Sequence, residues 1–224
     1  MRLRLVAASL TIGLVGCAGG ATPSMREDAL RYVALGDSYT IGTSVSEAES
    51  WPSQLVTRVP GLELVANLGV NGYASADLIA DELPRLDALA PGFVTVMIGV
   101  NDVVRQVSEA AYQANVVLIL DALMERLAPE GVLCLATPDY TVTPQGSAFG
   151  SADQQRAGIE RINVILGEAC AARGIRLVPE IFAISQAAAT NLTLVAGDGL
   201  HPSGAQYALW VEAIAPVIHE LLEE

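Results

Sequence analysis

Five residues spread along this 224-residue chain have types that together suit acyl transfer. Ser38 lies in Gly36-Asp37-Ser38, directly after the apolar run Tyr32-Val33-Ala34-Leu35. A glycine at the end of a strand lets the chain turn sharply, which puts the following serine in a turn rather than in the core. Serine is a weak nucleophile until a base takes its proton. His201 is a candidate base, because imidazoles titrate near neutrality. Asp198, three positions earlier, is the candidate carboxylate that fixes the imidazole tautomer. A tetrahedral intermediate also needs donors for its oxyanion. The backbone N–H groups of Ser38 and Gly69 and the side-chain amide of Asn101 are candidates that need no protonation.

These residues meet only if the elements between them place them on one rim. Strand-like and helix-like stretches alternate along the chain. Strands are expected at 31–35, 62–66, 93–98, 132–136 and 175–178. Helices are expected at 47–59, 75–89, 108–127, 151–173 and 203–222, with Pro84 kinking or splitting the second. This alternation implies one parallel five-stranded sheet with helices on both faces, an α/β fold. In such a sheet every strand ends at the same edge, where ligands bind. Ser38 follows the first strand, Gly69 the second and Asn101 the third, while Asp198 and His201 precede the last helix. The irregular stretch 139–150 follows the fourth strand and is a candidate substrate loop or lid.

Composition removes competing chemistries. The net charge is −13, which argues against nucleic acid and against docking on anionic lipid heads. All twelve basic residues are arginine, so lysine-based P-loops, Schiff bases and Ser-x-x-Lys dyads are excluded. With only His201 and His219, a multi-histidine metal site is excluded as well. Acyl transfer of this kind requires no metal or organic cofactor. His219, among Glu220, Glu223 and Glu224 at the chain's end, reads as a solvated residue near a helix C-terminus. Asp37 and Asp102 read as braces of the loops carrying Ser38 and Asn101, and Asn71 as a support of the second loop. Trp51 and Trp210 read as core.

Four segments together resemble the signature blocks of the SGNH, or GDSL, hydrolase family: Gly36-Asp37-Ser38, Gly69 with Asn71, Gly99-x-Asn101-Asp102 and Asp198-x-x-His201-Pro202. They occur in the family's order across nearly the whole chain after its leader. Tyr39 stands where the namesake motif has leucine, which bears on substrate preference. The resemblance implies a three-layer α/β/α fold of the flavodoxin-like kind. It also implies Ser38, Asp198 and His201 as the catalytic triad, with Ser38, Gly69 and Asn101 as the oxyanion hole. The expected activity is hydrolysis of carboxylic esters, or of thioesters, through an acyl-enzyme on Ser38. Removal of O-acetyl groups from cell-wall or polysaccharide sugars by the same residues is an alternative. Transfer to an acceptor other than water is another. A non-catalytic binding lipoprotein is the reading from a different class.

The N-terminus carries its own message. Arg2 and Arg4 precede an apolar run, 5–15, that is too short to span a bilayer. It ends in Leu14-Val15-Gly16-Cys17, which resembles a bacterial lipobox with Cys17 as the lipidated residue. The alternative is an ordinary signal cut near Ala18 to Ala21. The lipobox reading divides the chain into a signal at 1–16, a tether at 17–28 and one hydrolase domain at 29–224. It implies a membrane-anchored protein of the bacterial envelope, acting on a small-molecule, lipid or sugar ester. Cys134 and Cys170 are candidates either for a disulfide or for two buried thiols.

Overall fold

The structure, a computed structural model, describes residues 29–223. The expectations for the leader, for Cys17 and for the tether up to residue 28 fall outside the described residues.

The elements run in order as β1 (Leu30–Gly36), α1 (Ser38–Ile41), α2 (Trp51–Arg58), β2 (Leu62–Asn67), α3 (Ser75–Asp81), α4 (Leu86–Leu89) and β3 (Phe93–Met97). They continue as α5 (Val100–Val104), α6 (Glu109–Met124), β4 (Val132–Leu135), α7 (Ala152–Ala171), β5 (Arg176–Val178), α8 (Glu180–Ser185) and α9 (Gly204–Glu223). The five strands form one parallel sheet in the order β2-β1-β3-β4-β5. The expected α/β fold with helices on both faces is therefore present. Because β1 lies between β2 and β3, the strand order reverses there, and the crevice beyond the ends of β1 and β3 is the natural ligand position.

Successive strand residues point to opposite faces, and β1 divides accordingly. Tyr32 and Ala34 join one core with Trp51 and Leu55 of α2 and Trp210 and Ile214 of α9. Val33 and Leu35 join the other with Leu78 of α3, Val116 and Leu120 of α6 and Ile165 of α7. A strand buried on both faces must be largely apolar, which is why β1, β3 and β4 read as near-continuous apolar runs, and the one buried polar residue of β3, Thr95, shares a hydrogen bond with the Tyr32 hydroxyl at 2.8 Å.

Some expected helices are shorter or divided. The stretch 47–59 is a 3-10 turn (Glu47–Glu49) followed by α2, separated by the extended Ser50 (φ −62°, ψ 146°). The stretch 75–89 divides into α3, a 3-10 turn (Leu83–Arg85) and α4, because Pro84 lacks the N–H that would continue the helix. At the start of α6 the Ser108 hydroxyl accepts the Ala111 N–H at 3.3 Å. Short helices α5 and α8 carry too few residues for a periodic signal and were not expected from the sequence. Cys134 in β4 and Cys170 in α7 are both buried free thiols. They are neighbours across the sheet face: the Cys170 side chain, together with burial, pushes the Cys134 thiol well up.

Candidate active site

The serine turn is built by close packing. Gly36 has φ +152°, and a side chain there would collide with the Met97 carbonyl and the Thr40 side chain. Asp37 then caps α1, its Oδ1 accepting the Tyr39 N–H at 3.0 Å. Asp37 is buried, and that burial raises its carboxyl to about 7 despite the hydrogen bond from Tyr39. The reading of Asp37 as a brace agrees with this geometry. Ser38 follows as the first residue of α1. Its hydroxyl makes no hydrogen bond among the described residues and borders a cavity.

Asp198 and His201 come from a tight hairpin. Val195 and Pro202 form an isolated antiparallel bridge, and the Ala196 N–H donates to the His201 carbonyl at 2.7 Å. Inside this hairpin Asp198 Oδ1 accepts the N–H groups of Leu200 (2.9 Å) and His201 (3.0 Å), a local pattern typical of aspartate in turns. Asp198 Oδ2 meets His201 Nδ1 at 2.6 Å. Partial burial pushes the Asp198 carboxyl up. The hydrogen bonds from Ser44, His201 and the two backbone N–H groups outweigh it, and hold the acid far below the usual carboxylate range. An ionised Asp198 can only accept, so the shared proton sits on His201 Nδ1 and the lone pair is left on Nε2.

The three candidate oxyanion donors differ in availability. The Ser38 N–H is the first of α1 and has no acceptor within that helix. Asn101, the second residue of α5, gives one amide hydrogen to the Tyr73 carbonyl at 2.9 Å and keeps the other. The Gly69 N–H donates to Asn67 Oδ1 at 3.2 Å, within its own turn. Gly69 lines a shallow depression with Ile41, Thr43, Ser44 and Asn71, beside the cavity that Ser38, Asn101 and His201 border. Gly69 is nonetheless tightly fitted: a Cβ there would lie 2.7 Å from the Ile41 nitrogen and 2.8 Å from the Asp37 carbonyl. The loop after β2 thus rests its backbone directly on the serine turn.

The cavity has a volume of about 220 Å³. Tyr39, Val100, Val104, Tyr140, Phe149 and Leu200 give it an apolar wall, and Thr43 and Asn71 a polar one. Tyr140 and Phe149 bring the stretch 139–150 to the site. Among the described residues no group of three or more His, Cys, Asp or Glu side chains is placed to hold a metal ion. Likewise no helix among them is long and apolar enough to cross a membrane.

The model of the GDSL-like lipase/acylhydrolase family matches residues 34–209, most of the chain and all four of these segments. The protein belongs to this family. Solved structures agree in fold. TesA matches with a TM-score of 0.67 at 23% identity, over 85% of this chain and 99% of its own. Axe2, an acetylxylan esterase from Geobacillus stearothermophilus, matches with 0.66 at 20%, over 87% and 96%. The psychrotrophic esterase EstA from Pseudoalteromonas sp. matches with 0.64 at 16%, over 87% and 99%. At these identities the likeness carries the fold. No curated protein matches the chain.

In this GDSL-family chain Tyr39, the departure from the namesake motif, packs its ring against the imidazole of His201, with centroids 5.3 Å apart. Asp102 accepts the Ser75 N–H at 2.8 Å and the Ser75 hydroxyl at 2.5 Å, tying α5, with Asn101, to the start of α3. Asn71 accepts the Thr43 hydroxyl and so joins the first two loops. His219 is exposed on α9, away from the site. Two participants were not singled out from the sequence. Ser44 donates its hydroxyl to Asp198 Oδ2 at 2.6 Å, and Asn67 bridges Gly69 to the Thr40 carbonyl, the latter at 2.8 Å. Neither belongs to a motif, and the bonds to Asp198 and to Thr40 span 154 and 27 positions.

Proposed function

We propose that this protein is a serine ester hydrolase working through an acyl-enzyme on Ser38. The observation that carries the reading is that Ser38, Asn101 and His201, from three separate chain segments, border one cavity, with His201 held by Asp198. In the proposed reaction Ser38 Oγ attacks the ester carbonyl carbon while its proton passes to His201 Nε2. The carbonyl π electrons move onto oxygen, where the Ser38 N–H and the free Asn101 amide hydrogen donate to them. The Gly69 N–H joins them once released from Asn67. Losing one such donor raises the barrier by roughly 3–4 kcal/mol. Collapse of the intermediate breaks the carbonyl–oxygen bond, or carbonyl–sulfur bond in a thioester, and the leaving group takes the proton from Nε2. Water then repeats the sequence on the acyl-enzyme and releases the acid.

The apolar wall favours an aliphatic acyl group over a sugar at this position. A volume of about 220 Å³ is small, which suits a short chain. The net charge of −13 disfavours polyanionic substrates. A fluorophosphonate probe is expected to label the wild type and not Ser38→Ala. Equal labelling of both removes Ser38 from its role. A panel of p-nitrophenyl esters of rising chain length, run beside acetylated xylan, is expected to give its highest kcat/KM on a short aliphatic ester. Preference for the acetylated polysaccharide would instead make the protein a sugar deacetylase. The proposed address is the bacterial envelope, through lipid on Cys17. Metabolic labelling with a radioactive fatty acid should mark the wild type and not Cys17→Ser.

A further inference from the structure

The serine turn is held from behind by a second buried acid that the reaction itself does not use. Glu82, at the end of α3, is 1% exposed, and its Oε2 accepts the Gly36 N–H at 2.9 Å. Gly36 is the last residue of β1, so the carboxyl ends the strand and takes a backbone donor that the sheet leaves over. On the other side the Gly36 carbonyl accepts the Val70 N–H at 3.2 Å. The turn carrying Asp37 and Ser38 therefore hangs from two clamps, one of backbone and one of a side chain. Glu82 Oε1, in contrast, is buried with no hydrogen-bond partner among the described residues. A carboxylate charge on such an oxygen is strongly disfavoured, whereas a neutral acid carries no charge there.

We propose that Glu82, held as a neutral carboxylic acid, is a positioning residue that fixes the turn bearing Ser38, and that its ionisation loosens this turn. The inference rests on Ser38 being the nucleophile. The carboxylates around Glu82 act in the same direction as its burial. Burial raises its carboxyl to about 8 against the pull of the Gly36 hydrogen bond, which favours the charged form, and the carboxyls of Asp37 in the turn and Asp81 on its own helix add to the rise. Arg85, on the following 3-10 turn, opposes them. Asp102, across from Asp37, adds a further negative group to the cluster. When Glu82 loses its proton, two carboxylates flank Gly36 in a region that burial keeps from water.

The test is the rate of fluorophosphonate labelling at Ser38 against pH, in the wild type, Glu82→Gln and Glu82→Ala. Glutamine keeps the acceptor for Gly36 and stays neutral. The wild-type rate is expected to fall as the pH passes about 8, and the Glu82→Gln rate to lack that fall while matching the wild type in mild acid. Glu82→Ala is expected to label about tenfold more slowly at every pH, the scale of one buried hydrogen bond left unmade. The same alkaline fall in Glu82→Gln overturns the proposal, as does an unchanged rate in Glu82→Ala. Labelling that persists in Ser38→Ala overturns instead the assignment of the nucleophile. A ¹³C-carboxyl titration of the wild type reads the acid without any variant. One glutamate still protonated at neutral pH is expected, and its absence overturns the proposal even if the variants fail to fold.

Discussion

Ser44 shows how a single residue can hold the proposed triad together. Its φ of +69° lies in the left-handed region, which costs a residue with a side chain roughly 1–3 kcal/mol. In that conformation its hydroxyl reaches Asp198 Oδ2, the same oxygen that meets His201 Nδ1. Two substitutions separate the strain from the bond. Ser44→Ala keeps the strain and removes the donor, so kcat is expected to fall about tenfold with KM unchanged, the value of one hydrogen bond to a charged group. Ser44→Gly removes the donor and the strain together. It is expected to lose the same activity while melting above Ser44→Ala, because glycine adopts positive φ freely. Equal activity of Ser44→Ala and wild type would show that the hairpin alone orients Asp198.

At the scale of elements, the loops are fastened to one another more firmly than loop composition suggests. Gly69 rests on the Ile41 nitrogen and the Asp37 carbonyl, both backbone atoms that cannot rotate away. Gly69→Ala should therefore push the serine turn out of place. Labelling by the fluorophosphonate is expected to drop at least tenfold, the usual consequence of a displaced catalytic group. The stretch 139–150 is likewise anchored rather than loose. The buried Asp139 Oδ2 accepts from Arg156 at 2.9 Å, its Oδ1 accepts from Thr141, and its N–H donates to Ser185 at 2.7 Å. The Tyr140 hydroxyl donates to Gln155 at 2.6 Å, and Gln145 donates its N–H to the Gly199 carbonyl in the Asp198 hairpin at 2.9 Å. The loop is thus a fixed wall that carries Tyr140 and Phe149 into the cavity. Phe149→Ala opens that wall, so the best p-nitrophenyl ester is expected to lengthen, with little change in kcat on the shortest one. An unchanged chain-length profile would place the acyl group elsewhere.

For the molecule as a whole, the buried acids set an unusual dependence of stability on pH. Asp37 and Glu82 have their carboxyls raised, to about 7 and about 8, mainly by burial. Over the range between their ordinary values and these raised ones, the folded state binds more protons than the unfolded chain. Their contribution is then present in acid and lost as pH rises. Asp198, with its carboxyl lowered, works the other way and loses its contribution only as pH falls below the ordinary carboxylate range. Stability is therefore expected to be greatest near about pH 4, where the two regimes meet, and to decline until the pH passes about 8. Denaturant midpoints across this range measure it, and Glu82→Gln should decline less on the alkaline side. A midpoint that rises steadily to pH 9 would mean that these acids are ionised in the folded protein.

The sequence by itself determined the five strands, the long helices and their order, because burial on one or two faces writes its period directly into them, whereas the short α5 and α8 carry no such period. It also determined which side chains had the right chemistry, since Ser38, Asn101, Asp198 and His201 stand in short motifs with local turn signals. Only the tertiary structure decided what supports them. Ser44 and Asp198 lie 154 positions apart, Glu82 reaches Gly36 across 46, and Asn67 reaches Thr40 across 27. Ser44, Glu82 and Asn67 stand in no motif, because a hydrogen bond between distant segments depends on where the packed sheet brings them. The same holds for the Gly69 N–H, whose type marked it as a donor while its neighbours gave it to Asn67.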